Sequence, residues 1–437
     1  MPNCTIKKNQ FPSLKRRKVE VEFSGGSITS DAGGIFLREV DSQLNLLKPI
    51  SKLFPDDRDQ SKIDHTILEM LRQRVYGIAL GYEDLNDHNT LRHDLAFQTF
   101  VNKDSKLASS PTLCRFENKA TRKIAIGIHK QIVEVFIASF KKTPKKLILD
   151  FDATDDLVHG VQAGRFFHGY YGGYCFLPLY IFCGKKILAS YLRPSSKDGA
   201  HHAWAILSLL VKRFRQEWPN VRIIFRGDSG FCRHEMLTWC ENKDVNYIVG
   251  IARNNKLERS LKPLMQVAKK NFEETDEKQK LFIQFSYAAK SWANEKKIIG
   301  KAEYTKDGAN PRFIVTNING DPKDLYENLY CARGDMENRI KEKQLGLFAD
   351  RTSCHDWWAN QLRLLFSSLA YILIEYIRST ALAGTILEKA QVNTIRLRLF
   401  KIGAVIIKNT RRIRFLLSSC YPLQELFHSV FAKLVPG

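Results

Sequence analysis

No Cys-x-x-Cys pair occurs anywhere in this 437-residue chain. Its nine cysteines, an odd number, are Cys4, Cys114, Cys175, Cys183, Cys232, Cys240, Cys331, Cys354 and Cys420. That pattern excludes a zinc ribbon and a fully paired disulfide framework. Several of them sit in apolar runs and read as small core residues of a reducing compartment. Long hydrophobic runs are missing too. The longest, LLFSSLAYILI at 364–374, is too short to span a bilayer and stops at Glu375. The opening MPNCTIKKNQ has no apolar h-region, so no secretory signal is expected. A cytoplasmic chain without a membrane partner is expected.

Acids are the other shortage. Lys+Arg number 68 against 46 Asp+Glu, a formal charge of +22. An excess of that size favours a polyanionic partner, usually nucleic acid, because each phosphate contact releases counterions. The alternative is a basic surface kept only for solubility. No acid precedes Glu20, while Lys7, Lys8, Lys15, Arg16, Arg17 and Lys18 form a basic arm or a solvated tail. None lies between Gln391 and Leu423, which carry Arg396, Arg398, Lys401, Lys408, Arg411, Arg412 and Arg414. Apolar residues at 44% and charged residues at 26% fit a globular chain rather than a disordered one.

The length implies about two to four domains. Apolar residues recur at helical spacing from Asp64 to Gly81, so residues 1–140 are expected to hold a small helical domain behind the basic arm, and it is the arm's charge that makes this the expected DNA-binding region. KKTPKK at 141–146 reads as a linker. Strand-like runs follow at 147–152, 175–183, 186–192, 221–228 and 245–252, with amphipathic helices at 199–218 and 232–243. The order β-β-β-α-β-α-β predicts a mixed sheet flanked by helices over 146–252. Residues 253–323 break the rhythm and read as a β-rich insertion, charged at 269–280 and strand-like at 281–287, 296–304 and 312–318. Helical patterns over 324–385 resume the core, and 386–437 form a basic C-terminal region.

Asp152 closes the first core strand and Asp228 the fourth, so two carboxylates can converge at one end of the sheet. Carboxylates that close repel unless a cation sits between them, and oxygen-only ligands favour Mg²⁺ or Mn²⁺. Asp150 competes for the first position, since strand alternation puts it on the same face as Asp152. Asp152 is preferred because it lies nearer the strand end. The helix at 324–346 can supply a third acid. At about 100° per residue from Tyr330, Arg333 falls at about 300°, Glu337 at about 340° and Lys341 at about 20°, one polar stripe. Asp335 falls at about 140° and Lys343 at about 220°, away from it. The Arg-Gly-Asp of FRGDSGF thus offers its aspartate, while that of YCARGDMENRIKEK offers Glu337 instead. The same stripe on an ordinary helix would be a row of i,i+4 ion pairs.

These motifs together resemble a bacterial DDE transposase with an RNase H-like core and a β insertion between the second Asp and the Glu. LDFDAT resembles the Asp-x-Thr/Ser motif, GDSGF the Asp-x-Gly-Phe/Tyr motif, and YCARGDMENRIKEK the Tyr-x2-Arg-x3-Glu-x6-Lys signature. FDATDDLVHGVQAG, GYEDLND and TIRLRLFKIGA extend the likeness, which is nearest to the insertion-sequence-1380 family and spans nearly the whole chain. One departure stands at 344, where the signature lysine is replaced by Gln344, with Lys341 on the fitting face.

The resemblance implies cut-and-paste transposition. Asp152, Asp228 and Glu337 would be catalytic and bind two Mg²⁺ ions, with Mn²⁺ as a substitute. Tyr330, Arg333 and Lys341 would hold DNA phosphates. Trp292, between two strand-like runs, would stack on a base flipped out in a hairpin step, or else be an edge aromatic of the insertion. The partners would be double-stranded DNA, as terminal inverted repeats and target, and a second copy of the chain on that DNA. The setting would be a bacterial cytoplasm, at the nucleoid. GVQAGRFFHGYYGGY at 160–174 can bring backbone close to DNA or serve as a wide turn. His201 and His202 read as helix-start residues. An RNase H-fold nuclease that does not join strands and a DNA-binding regulator with an inactive core remain as alternatives. An aspartic protease is disfavoured by Thr154, where that family needs glycine, and by the basic charge.

Overall fold

The computed structural model describes residues 8–435. Cys4 and Lys7 lie outside them. The chain folds into two compact units. One takes in the chain up to Ala120, Gly346–Phe348 and the chain from Leu369; the other takes in Thr121–Leu345 and Ala349–Ser368.

In the first unit, Ile67–Leu80 is a helix opened by a capping box between Thr66 and Glu69. The C-terminal strand Ala404–Lys408 pairs with Ile413–Leu417 and with Ile28–Thr29, which joins the two ends of the chain. The basic tail is only partly free. Arg396 donates to the carbonyls of Ile78 and Ala79, Lys401 pairs with Asp31 at 2.5 Å, and Lys408 with Asp104 at 2.5 Å. Arg398, Arg411, Arg412 and Arg414 are exposed. Among the basic arm's residues, Arg17 and Lys18 lie in an exposed two-stranded ribbon, Asn9–Leu14 with Arg17–Val21, rather than in a tail.

The second unit is built on one mixed sheet. Its strands are β1 (Lys146–Ala153), β2 (Leu179–Cys183), β3 (Lys186–Tyr191), β4 (Arg222–Gly227), β5 (Asn246–Ile251), β6 (Gln279–Tyr287), β7 (Lys296–Thr305) and β8 (Arg312–Thr316). The spatial order is β6-β7-β8-β5-β4-β1-β2-β3. β1, β4 and β5 are parallel, and the other neighbours pair antiparallel. Alternation along β1 sends Leu147, Leu149 and Phe151 to one face and Ile148, Asp150 and Asp152 to the other. The first face packs under four helices, α1 (Arg122–Ala138), α2 (Ala203–Glu217), α3 (His234–Asn242) and α4 (Asn255–Thr275), through residues such as Phe136, Phe214, Leu237 and Leu261. The second holds Ile224, Ile248, Ile299 and Ile314 beneath Leu325 and Tyr326. Among the described residues no helix is long and apolar enough to cross a membrane.

Three details differ from the sequence expectation. The run 175–183 is two strands, because Pro178 has no N–H for a ladder; Gly173–Phe176 belongs to a separate small sheet with Asp156–Leu157 and Phe166–His168. Residues 255–275 are a helix, α4, whose charged surface hid a narrow apolar stripe of Leu257, Leu261 and Ala268. The strands of 279–316 do not stand apart but continue the main sheet through β8 against β5.

Candidate active site

Asp152 is the last residue but one of β1, only 9% exposed. Its Oδ1 accepts from the Ala153 N–H at 3.0 Å. Asp228 directly follows β4 and caps the short turn Ser229–Phe231 by accepting from the Gly230 N–H at 2.8 Å. Because β1 and β4 are parallel neighbours, with Gly227 opposite Phe151, both acids emerge at the same sheet end.

The third group comes from the segment crossing the second face. That segment is not one regular helix. A π turn over Leu325–Tyr330 and a 3-10 turn over Cys331–Arg333 precede α5 (Gly334–Leu347). The even stripe expected from Tyr330 to Lys341 is therefore broken at its start, since neither turn advances about 100° per residue. Arg333 still reaches the acids. Its Nη1 lies 3.5 Å from Asp152 Oδ2, and its Nη2 donates to Glu337 Oε1 at 2.7 Å. Tyr330 approaches from the same side: a Cβ placed on Gly250 of β5 would fall 2.7 Å from the Tyr330 hydroxyl and 2.9 Å from the Ser229 nitrogen. Gly250 is the gap through which that ring and the Asp228 turn meet β5.

The charges of these groups act on one another. Burial raises the Asp152 carboxyl to about 6, the Arg333 guanidinium opposes this, and Asp228 and Glu337 push it further up. For Arg333, burial works against the charge, but Asp152, Glu337 and Asp228 outweigh it and raise its pKa. The Tyr330 hydroxyl is raised mainly by burial, with Asp228 adding to the effect and Arg333 opposing it.

Asp150 has a different partner. Arg226 of β4 grips it with two guanidinium nitrogens, Nη2 to Oδ2 at 2.8 Å and Nε to Oδ1, and also donates to the Leu329 carbonyl. Arg226 was not singled out from sequence. Its signal was its position two residues before Asp228, which turns it to the same face.

The other expected residues are dispersed. Lys341 is exposed one turn beyond Glu337. Lys343 is fully buried, donating at 2.9 Å to each of the Ser190 and Ser368 hydroxyls, and Gln344 donates to the Asp155 carbonyl. Trp292 is not with the acids. It sits in the β6–β7 turn, against Tyr287 at 5.5 Å and beneath Lys296. β7 runs in the direction of β1, so this turn is at the sheet end where β1 begins.

Carboxylate oxygens are the donor set that suits a hard divalent cation. As they stand, no three His, Cys, Asp or Glu side chains among the described residues are grouped to hold one. Arg333 lies against both Asp152 and Glu337 and supplies there the positive charge that such a cation would bring. A cavity of 370 Å³ nearby is lined by Asp155, Gln344, Asp350 and Thr352 and by none of the three acids.

Residues 11–436 match the family model described as "Transposase DDE domain group 1". No curated protein matches the chain. Among solved structures it is similar to a piggyBac transposase synaptic complex with hairpin DNA, determined by cryo-EM, at 11% identity over 85% of this chain and 80% of that chain, with a TM-score of 0.43.

Proposed function

Because the chain belongs to the group 1 DDE transposase domain family, we propose that it is a DNA transposase whose cutting and joining centre is formed by Asp152, Asp228 and Glu337. One observation carries the assignment of the site. Two aspartates at the ends of adjacent parallel strands and a helix glutamate, far apart in sequence, act on a single arginine, Arg333. A buried carboxyl with a raised pKa, that of Asp152, set beside further charged groups at a sheet end is a usual mark of a functional cluster. Asp152 takes the first position rather than Asp150, which Arg226 already holds.

The strand order β3-β2-β1-β4-β5 supports an RNase H-like core. The motifs support the insertion-sequence-1380 family and a bacterial cytoplasmic setting. Asp152, Asp228 and Glu337 would hold Mg²⁺, or Mn²⁺ in its place, at up to two positions. Ions held there would supply Lewis-acid activation of a water or a DNA 3′-hydroxyl and charge stabilisation of the departing oxygen. Arg333, shared between Asp152 and Glu337, would pair with the phosphate at this site, and a guanidinium fork suits that oxyanion. The Tyr330 hydroxyl, held protonated, donates to a phosphate oxygen, and Lys341 adds charge from the rim. Exposed Arg398, Arg411, Arg412 and Arg414, with the basic ribbon, bind the DNA backbone of the terminal repeats. The reaction is cut-and-paste, with a hairpin as one route between cleavage and joining, and two copies of the chain hold two ends.

The test is excision and strand transfer with DNA carrying the inverted repeats that flank the gene. Asp152→Ala, Asp228→Ala and Glu337→Ala should each lower excision by about a thousandfold or more while end binding persists. Loss of end binding in all three would make the acids structural. Cleavage without strand transfer by the unaltered protein would make it a nuclease.

A further inference from the structure

The small sheet beside the Asp152 strand end exposes a cluster of aromatic rings. Its outer ribbon pairs Phe166–His168 with Gly173–Phe176 around the tip Gly169–Gly172, closed by the Gly172 N–H donating to the His168 carbonyl at 2.9 Å. Tyr170 at the tip is 86% exposed, Phe167 60% and Tyr174 49%. Phe167 and Tyr174 meet across the ribbon with ring centroids 5.7 Å apart, and the Arg165 guanidinium lies 4.6 Å over the Tyr174 ring. Large rings are normally buried, and a cluster of exposed ones marks an interaction surface.

The base of the ribbon is fixed. Phe176 packs edge-on against Trp357 at 5.2 Å, and Ser195 donates to the Phe166 carbonyl at 2.8 Å. Only Thr154 and Asp155 separate β1 from the strand Asp156–Leu157 that pairs with Gly173–Phe176. Tyr171 at the tip lies near enough to Asp155 and Asp152 for both charges to act on its hydroxyl. From Leu157 to Lys197 there is no acid, while Arg165 and His168 lie against the rings of Tyr174 and Tyr171. Aromatic faces, a stacked guanidinium and a ribbon without acids of its own suit a polynucleotide strand. Stacking on such rings does not depend on base identity.

We propose that the ribbon Phe166–Phe176 is a stacking platform for unpaired bases of the DNA strand next to the Asp152 sheet end, with Phe167, Tyr170 and Tyr174 as the base contacts. The proposal rests on the transposase reading and adds a recognition element to it. The platform holds frayed DNA open where the strand is cut, and it favours forked over fully paired ends.

The full chain is titrated with two fluorescent DNA probes of one sequence, a paired duplex and a fork with unpaired bases, in a chelating buffer. The fork should bind more tightly. Phe167→Ala/Tyr170→Ala should weaken fork binding about tenfold and duplex binding less than about twofold, and Phe167→Trp/Tyr170→Trp should restore the fork preference. These residues are exposed, so the thermal midpoint serves as the folding check. Equal binding of fork and duplex by the unaltered chain, or an undiminished preference in the alanine variant, overturns the platform and leaves the transposase reading standing. Failure to bind either probe overturns both. Loss of self-association in the alanine variant with unchanged fork affinity assigns the ribbon to a second copy and overturns the proposal.

Discussion

The two Arg-Gly-Asp tripeptides share three letters and place their arginines against the same strand, yet they have opposite characters. Arg226 is 6% exposed and closes a two-pronged pair on Asp150, itself 3% exposed. Arg333 is held less tightly, at 3.5 Å from Asp152 and 2.7 Å from Glu337, whose side chain is 47% exposed. Both arginines neutralise an aspartate of β1, two residues apart on one face. The first pair is sealed between β1, β4 and the Leu329 carbonyl, so its groups have nowhere else to go. The second is shared among acids and open on one side, so its arginine can exchange one anion for another. Burial and satisfied geometry mark the first pair, and incomplete satisfaction distinguishes the one proposed to be catalytic.

Unpairing the sealed arginine should have the largest effect on stability. Arg226→Ala leaves the Asp150 carboxyl buried without its partner and should cost about 3–5 kcal/mol in denaturant unfolding. Replacing both by apolar residues, Arg226→Met with Asp150→Leu, should recover much of that loss. Equal losses in the single and double variants would show that the pair is not the source.

The Asp152 carboxyl gives a smaller effect with a defined pH window. Its pKa is raised from the ordinary 3.8 to about 6, burial being the main cause. Between those values the folded chain binds the proton more tightly than the unfolded chain. Stability from this group is therefore greatest below about pH 4, falls as the pH rises, and is fully lost above about pH 6. In metal-free buffer, Asp152→Asn should exceed the unaltered protein by about 2 kcal/mol at about pH 8 and by little at about pH 4. An advantage that does not change with pH would refute the raised carboxyl.

The smallest change is expected at the open arginine. Arg333→Ala should shift unfolding by less than about 1 kcal/mol, since it breaks only a loose, partly exposed pairing. It should still depress excision strongly. A loss as large as that of Arg226→Ala would erase the distinction between the two pairs.

Much of this was legible before the structure. Alternation in LILDFD and VRIIFRGD located both strands and put Asp152 and Asp228 at their ends. The spacing of Arg333 and Glu337 identified a pair that does form. Other features were hidden for physical reasons. The sequence conceals α4, because most of its length faces solvent and its apolar stripe is only a few residues wide. The run through Pro178 reads as one strand in the sequence because a single residue decides where a ladder ends. The two readings of Trp292, base stacking in a hairpin step or an edge aromatic of the insertion, rest on likeness and on its place between two strand-like runs, while its position at the sheet end where β1 begins follows from strand direction, which no local pattern carries.

Period-two patterning, strand-end acids and turn caps depend on neighbours in the chain, so the amino-acid order was enough to specify them. Which arginine meets which aspartate depended on parallel register between segments 76 residues apart, as for Asp150 and Arg226. No local preference encodes such a pairing. It is settled only when both faces of the sheet are buried and each charged side chain must find a partner in the little space left.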